Sequence, residues 1–206
     1  MKVRKVRKSG KLVQGVGIND ADYNVTIGHM VNGKWKITWR CPFYAAWCSM
    51  LVRCHSDKYQ SKHPTYKDCE VCDEWFTFSN FKAWMEKQNW KGKQLDKDLL
   101  KVGNKVYCPE CCIFVDRKIN MFVTDHGNDR GANMLGVYWD KSRSKFNSKC
   151  RSPFTGKQEF IGYFTNELEA HLAWKSRKHE LACLLAESEY CTDPRLAEAL
   201  RTRYAN

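Results

Sequence analysis

The run Asp96-Lys97-Asp98 holds the residues of this chain best suited to work on a phosphate. A carboxylate at 96 offers the oxygen that hard ions such as Mg2+ and Mn2+ prefer. If Asp96 and Asp98 both stay in one strand, they share a face and make a two-carboxylate ion site. Lys97 acts as a general base only where burial or nearby cations strip its proton; otherwise it is a phosphate contact. Asn104, in the loop that follows, joins the candidate set, although it also suits a plain turn and Asp98 a turn cap. His55, His63 and His126 sit in polar stretches, from which any of them could supply a base.

Two C-x-x-C pairs, Cys69/Cys72 and Cys108/Cys111, bracket that segment. Two residues between thiolates let both face one ion, so the four could clamp a structural Zn2+; small buried thiols are the alternative. A third group is cationic. Arg130, Lys141, Arg143, Lys145, Lys149, Arg151 and Lys157 stand against the single acid Asp140, with Tyr138 and Trp139 among them. In duplex DNA, Arg and Lys reach guanine edges and phosphates, while aromatic groups meet sugars and thymine methyls.

Composition favours the same partner. With 35 Lys and Arg against 23 Asp and Glu, the formal charge is +12 and the pI is near 9.2. Such a chain gains by counterion release on a polyanion. No segment approaches the roughly 18 apolar residues of a spanning helix, so no membrane role is expected. The opening MKVRKVRKSGK holds six basic residues without an apolar run behind it, and reads as a basic arm or a solvated tail rather than a secretory leader. Eleven cysteines without such a leader point to a reducing compartment, the cytoplasm.

These groups need elements to position them. Phe43, Ala46, Trp47, Met50, Leu51 and Cys54 recur at helical spacing behind Pro42. Ser79 or Asn80 can cap a helix carrying Phe81, Trp84 and Met85. Leu95 to Leu100, the Gly103-Asn104 turn and Val106 to Val115 read as a hairpin leading into a helix. TDHGNDRGAN, residues 124–133, has the composition of a linker. Beyond it, 135–139, 145–147 and 160–164 are strand-like. Asn166 and Glu169 then open a helix whose apolar face is Ala170, Ala173, Trp174, Leu181, Leu184 and Leu185, and Asp193-Pro194 opens a last one.

The stretches Gly136-Val137-Tyr138-Trp139-Asp140, Lys145-Phe146 and Ile161-Gly162-Tyr163-Phe164-Thr165-Asn166-Glu167-Leu168-Glu169-Ala170 resemble the APETALA-two (ethylene-response-factor) DNA-binding domain over residues 134–178. That resemblance implies three antiparallel strands, a packing helix, and DNA contacts from Tyr138, Trp139, Lys141, Arg143 and Lys145. The loop Asn147 to Lys157 is longer than that family's turn.

The order C-x-x-C, acid-bearing strand, C-x-x-C and helix resembles the ββα-metal (HNH) nucleases, among them the zinc-stapled phage resolvases. Trp47-x-x-Met50, Arg53-Cys54, Val71-Cys72-Asp73-Glu74-Trp75, Phe78-x-x-Phe81, Leu95-Asp96-Lys97-Asp98 and Tyr107-Cys108-Pro109-Glu110 are similar to phage and intron-homing HNH proteins with an appended domain of the APETALA-two type. That family carries Asp-His where Asp96-Lys97 stands, serine at 108 and asparagine at 111, and the resemblance implies that Asn120 takes the place of its last Asn or His. The resemblance implies a bacteriophage protein of the host cytoplasm.

The expectation is therefore an α+β chain: a basic arm and leading strands over 1–40, an HNH-like module over 41–123, a linker over 124–133 and a DNA-reading domain over 134–206. Its function is expected to be metal-dependent hydrolysis of DNA, of homing type and nicking if not double-stranded, with Asp96 on Mg2+ or Mn2+. The alternative is an inactive, HNH-derived DNA-binding protein.

Overall fold

The computed structural model describes residues 10–124 and 133–205, and these form an α+β protein of helices and small sheets. Two compact units result: the chain up to Lys91 with Lys101–Phe114, and Gly92–Leu100 with the chain from Val115 onward. Asp96, Lys97 and Asp98 thus belong to the second unit, and the paired cysteines to the first. Residues 1–9 of the basic run, 125–132 of the proposed linker, and with them His126 and Arg130, lie outside the described residues. Among the described residues, no helix is long and apolar enough to cross a membrane.

The first unit is organised by α1 (Pro42–His55), which Pro42 starts with a preset φ. Trp47, Met50, Leu51 and Cys54 form its buried stripe, while Phe43 and Ala46 stay partly open. A short helix, α2 (Asp57–Gln60), follows with Ser56 as its cap. Trp47 donates from Nε1 to the carbonyl of Trp75 at 2.6 Å, so the largest core residue leaves no polar atom unpaired. Against α1 packs α3 (Phe78–Glu86), with Phe78, Phe81 and Met85 inward. Its cap differs from expectation. The helix starts before Ser79 and Asn80, and Asp20 accepts the Ser79 N–H at 2.9 Å from 59 residues away, a long-range cap that no local pattern announces.

Strand β3 (Glu70–Val71) pairs in parallel with β5 (Val106–Tyr107). The strand directly after the Gly103-Asn104 turn thus pairs upstream with β3, and of the expected hairpin the pairing that forms is between Gln94–Asp96 and the end of the run, Ile113–Val115. At the front of the unit, β1 (Thr26–Val31) and β2 (Lys34–Arg40) form an antiparallel hairpin. Its Asn32-Gly33 turn has φ of 50° and 73°, the conformation that matches strand twist.

In the second unit, β4 (Gln94–Asp96) precedes the Asp96–Asp98 segment; β6 (Ile113–Val115), whose last residue opens this unit again, runs into α4 (Arg117–Val123), capped by Asp116. Then β7 (Val137–Asp140), β8 (Lys145–Arg151) and β9 (Gln158–Phe164) make an antiparallel sheet in that order. Its strand β8 reaches Arg151, so the part Asn147–Arg151 of what reads as a long loop is strand and only Ser152–Lys157 turns.

One face of this sheet is covered by α5 (Glu167–Ala186), where Asn166 accepts the N–H of Leu168 and of Glu169. Ala170, Leu181, Ala182 and Leu185 point inward; Leu184 is exposed, because the buried stripe turns toward Ala182. The last helix, α6 (Pro194–Arg203), packs Leu196 and Leu200 on α5 behind its Asp193 cap. Each fully buried leucine is worth about 2 kcal/mol, which a small unit needs.

Candidate nucleic-acid interface

Side chains alternate across a strand, and directly opposed residues of an antiparallel pair share a face. The register sets Val137 opposite Ser148 and Ser148 opposite Gly162, on the face toward α5. Tyr138, Asn147 and Tyr163 fall on the other face, as do Asp140 and Lys145. A bulge between Ser148 and Lys149 resets the pleat, pairing Lys149 with Phe160 and Arg151 with Gln158 on that same open face. Cys150 and Glu159 turn inward, where Glu159 holds Arg177 of α5 at 2.9 Å.

The open face therefore gathers Lys145, Lys149, Arg151 and, from the turn, Arg143, against the acid Asp140. Lys145 and Lys149 make no ion pair among the described residues. Arg143 lies 3.3 Å from Asp140 and stacks 5.0 Å from the Tyr163 ring centre. The Ser142 hydroxyl and N–H, with Arg143, hold the Asp140 carboxyl down at about 2, so this acid stays ionised and already occupied. A shallow depression of about 430 Å3 is lined by Tyr138, Lys149, Gln158 and Phe160. At the middle of the sheet Asn147 is buried, and its Oδ1 has no partner among the described residues.

Most of the expected DNA-contact residues are thus brought together: Tyr138, Arg143, Lys145, Lys149 and Arg151. Two are not. Trp139 points to the other side of β7, where its exposed ring meets the half-buried Phe146 at 4.8 Å. Lys141 is exposed in the turn after β7. Gln158, Phe160, Tyr163 and Asn147 join the face without having been picked out as contacts. Pleat alternation alone would set Phe160 and Tyr163 on opposite faces; the bulge at Ile161 brings both to the side of Lys149 and leaves no mark in composition.

The Asp96 segment is built differently from a two-carboxylate strand. The strand ends at Asp96, whose Oδ1 accepts the N–H groups of Asp98 at 2.9 Å and Leu99 at 2.7 Å. This turn, rather than the pleat, brings the Asp98 carboxyl near. Burial and the charge of Asp98 push the Asp96 carboxyl above its ordinary range, and the two N–H bonds oppose them. Lys97 is buried at 6 % exposure, with Nζ 3.1 Å from the Asp98 carboxylate. The Lys97 ammonium is thus engaged by a neighbouring carboxylate.

Asn120 of α4 donates to the Gln94 side chain at 2.7 Å, beside β4. Asn104 lies in the first unit, where it brackets Val106 by bonding both its carbonyl and its N–H, the work of a turn former. His55 and His63 also belong to the first unit. Burial lowers the His55 pKa, and His63 packs on Tyr59 at 4.4 Å.

The cysteines separate as well. Around β3 exposure alternates: Cys69 and Val71 are buried, Glu70 and Cys72 face outward. Cys69 and Cys72 therefore sit on opposite faces of an extended segment and do not form a two-thiol turn. Cys108 and Cys111 do share a turn: burial pushes the Cys108 thiol up to about 11, against the opposing pull of the Cys111 N–H. The parallel register brings Cys72 next to Cys108. Among the described residues no three His, Cys, Asp or Glu side chains form a set able to hold an ion. The four thiols do not stand as one set here, Cys69 being buried and Cys72 half-exposed, and at the Asp96 segment Lys97 Nζ stands beside the Asp98 carboxylate.

Compared with protein-family models, curated proteins and solved structures, the chain matches none.

Proposed function

We propose that this chain binds duplex DNA through the open face of β7, β8 and β9. Lys145, Lys149 and Arg151 would meet phosphates and guanine edges, and Tyr138, Phe160 and Tyr163 would pack on sugars and thymine methyls. One observation carries this reading: the register and its bulge collect those cations and rings on the sheet face that α5 leaves uncovered. Fluorescence anisotropy with a labelled duplex tests it. Lys149→Ala with Arg151→Ala should weaken binding at least about tenfold and lower the salt slope of log K by about 2. Unchanged affinity and slope would overturn the assignment, and tighter binding to RNA in competition would reassign the partner.

Hydrolysis of DNA in the manner of the ββα-metal, homing-type nucleases is a second reading. It is favoured by the carboxyls of Asp96 and Asp98 standing together beside the strand that Asn120 contacts. Mg2+ or Mn2+ would have to displace Lys97 from Asp98 there. Nicking of a supercoiled plasmid with Mg2+ or Mn2+ that disappears in Asp96→Ala would establish it; plasmid left intact by a chain that binds duplex leaves the inactive, DNA-binding form.

A further inference from the structure

The hairpin of β1 and β2 is exposed along almost its whole length, and every residue of β2 is exposed. Two strands alone are marginal in water and usually need a covering layer. This pair is held at its root: the Cys41 N–H donates to the Val25 carbonyl at 2.8 Å, and both residues are buried. Beyond that root the ribbon projects with Trp35 at 56 % and Trp39 at 44 % exposure, joined by the exposed Ile27, Met30 and Ile37. Exposed indoles on an open ribbon invite aggregation, so a surface that keeps two of them calls for a ligand.

The ligand's chemistry follows from the pattern. From Thr26 to Arg40 there is no acid, while Lys34, Lys36, Arg40 and His29 are basic. Trp35 pairs with Met30, and Ile37 with Gly28. A bulge at Ile27/Gly28 then leaves Thr38 unpaired and sets Trp39 opposite Ile27. The bulge thereby turns Trp35 and Trp39 to opposite faces: one joins Met30, Ile37 and Arg40, the other joins Ile27, His29, Lys34 and Lys36. A lipid surface or an apolar protein groove would select one apolar face and one charged face. Each face here mixes an indole with cations, which suits walls that alternate phosphate with sugar and base edge.

We infer that the β1–β2 ribbon is a second nucleic-acid element, entering a groove of duplex DNA tip first with Trp35 and Trp39 against its walls. The DNA major groove admits a two-stranded ribbon. This inference stands apart from the sheet as a DNA reader, because it rests on other residues of the other unit. No described element covers these side chains, so the substitutions that test it leave the core intact.

Duplex binding is measured for the full chain, for Lys34→Ser with Lys36→Ser and Arg40→Ser, for Trp35→Ala with Trp39→Ala, and for the sheet variant Lys149→Ala with Arg151→Ala. The ribbon charge variant should bind at least about tenfold more weakly and lose about 2 to 3 from the salt slope. The tryptophan variant should weaken binding with the slope unchanged. Wild-type binding by both ribbon variants, with loss in the sheet variant, overturns the ribbon and leaves the sheet. Loss confined to the ribbon variants does the reverse. If the ribbon variants instead lose sedimentation with phosphatidylglycerol vesicles while keeping duplex affinity, the ribbon is a lipid contact and the inference fails.

Discussion

Gly136 lies directly against the indole of Trp174, so close that a methyl group built on its α-carbon would overlap Cγ and Cδ1 of the ring. Its φ is 75°, in the region that side chains disfavour, and it turns the chain into β7. Gly136→Ala should cost about 3 kcal/mol, part from the backbone and part from overpacking. Urea unfolding measures the loss. In a Trp174→Ala background the packing share should vanish, giving a positive coupling in the double-mutant cycle; additive losses would show that the ring is not what excludes the methyl.

Asn147 sits in the sheet between Tyr138 and Tyr163, with a buried amide oxygen that has no partner among the described residues. An unpartnered buried acceptor costs about 1 to 3 kcal/mol, and an apolar side chain of similar shape avoids that cost. Asn147→Leu should leave the free protein as stable or about 1 kcal/mol more so, while weakening duplex binding and any preference for adenine, the base that asparagine reads in the major groove. Denaturant titration and anisotropy check the two halves. A destabilised variant with undiminished binding would remove Asn147 from the interface.

What could be read from the sequence followed from local periodicity. The stripe of Trp47, Met50, Leu51 and Cys54, the caps at Asn166 and Asp193, and the three C-terminal strands depend on neighbours within a turn or a pleat, and they came out as expected. What could not be read depends on distant partners. Asp20 capping α3, β3 choosing β5, and the bulge at Ile161 that turns Phe160 and Gln158 to the open face are all decided by tertiary contact. The site divided in the same way. Charge density located the sheet, but Trp139, adjacent to Tyr138 in sequence, lies on the other face because adjacent strand residues must. For Cys69 and Cys72 the shared spacing says nothing of the extended backbone between them, and that backbone parts the two thiols.

That separation has a consequence for metal content. Cys69 is buried in the core, whereas Cys108 shares a turn with Cys111 and is set beside Cys72 by the β3–β5 register. If the purified protein carries zinc, Cys69→Val should keep it at full stoichiometry, and Cys108→Ser or Cys111→Ser should release it. Elemental analysis of the three variants decides. Loss of zinc in Cys69→Val would mean that β3 does not hold its thiol inward.

Asp96 gives a pH-dependent prediction with a definite sign. Its carboxyl is held above the ordinary value by burial first and by Asp98 second, so the folded state binds this proton more tightly than the unfolded chain does. The folded protein therefore bears a penalty at neutral pH, which is relieved as pH falls through the raised value toward the ordinary carboxylate range. Asp96→Asn keeps an oxygen able to accept the N–H groups of Asp98 and Leu99 and removes the charge. The variant should melt higher than wild type at neutral pH, and the gap should close as the pH is lowered toward about 4. Mg2+ adds a second comparison. A cation seated on Asp96 and Asp98 would raise the wild-type melting temperature at neutral pH and leave Asp96→Asn unmoved. If Mg2+ moves neither, the pair of carboxyls does not hold that ion, and Lys97 keeps its place beside Asp98. If it moves the wild type alone, the hydrolytic reading gains the ion it requires, and the plasmid assay becomes the next measurement.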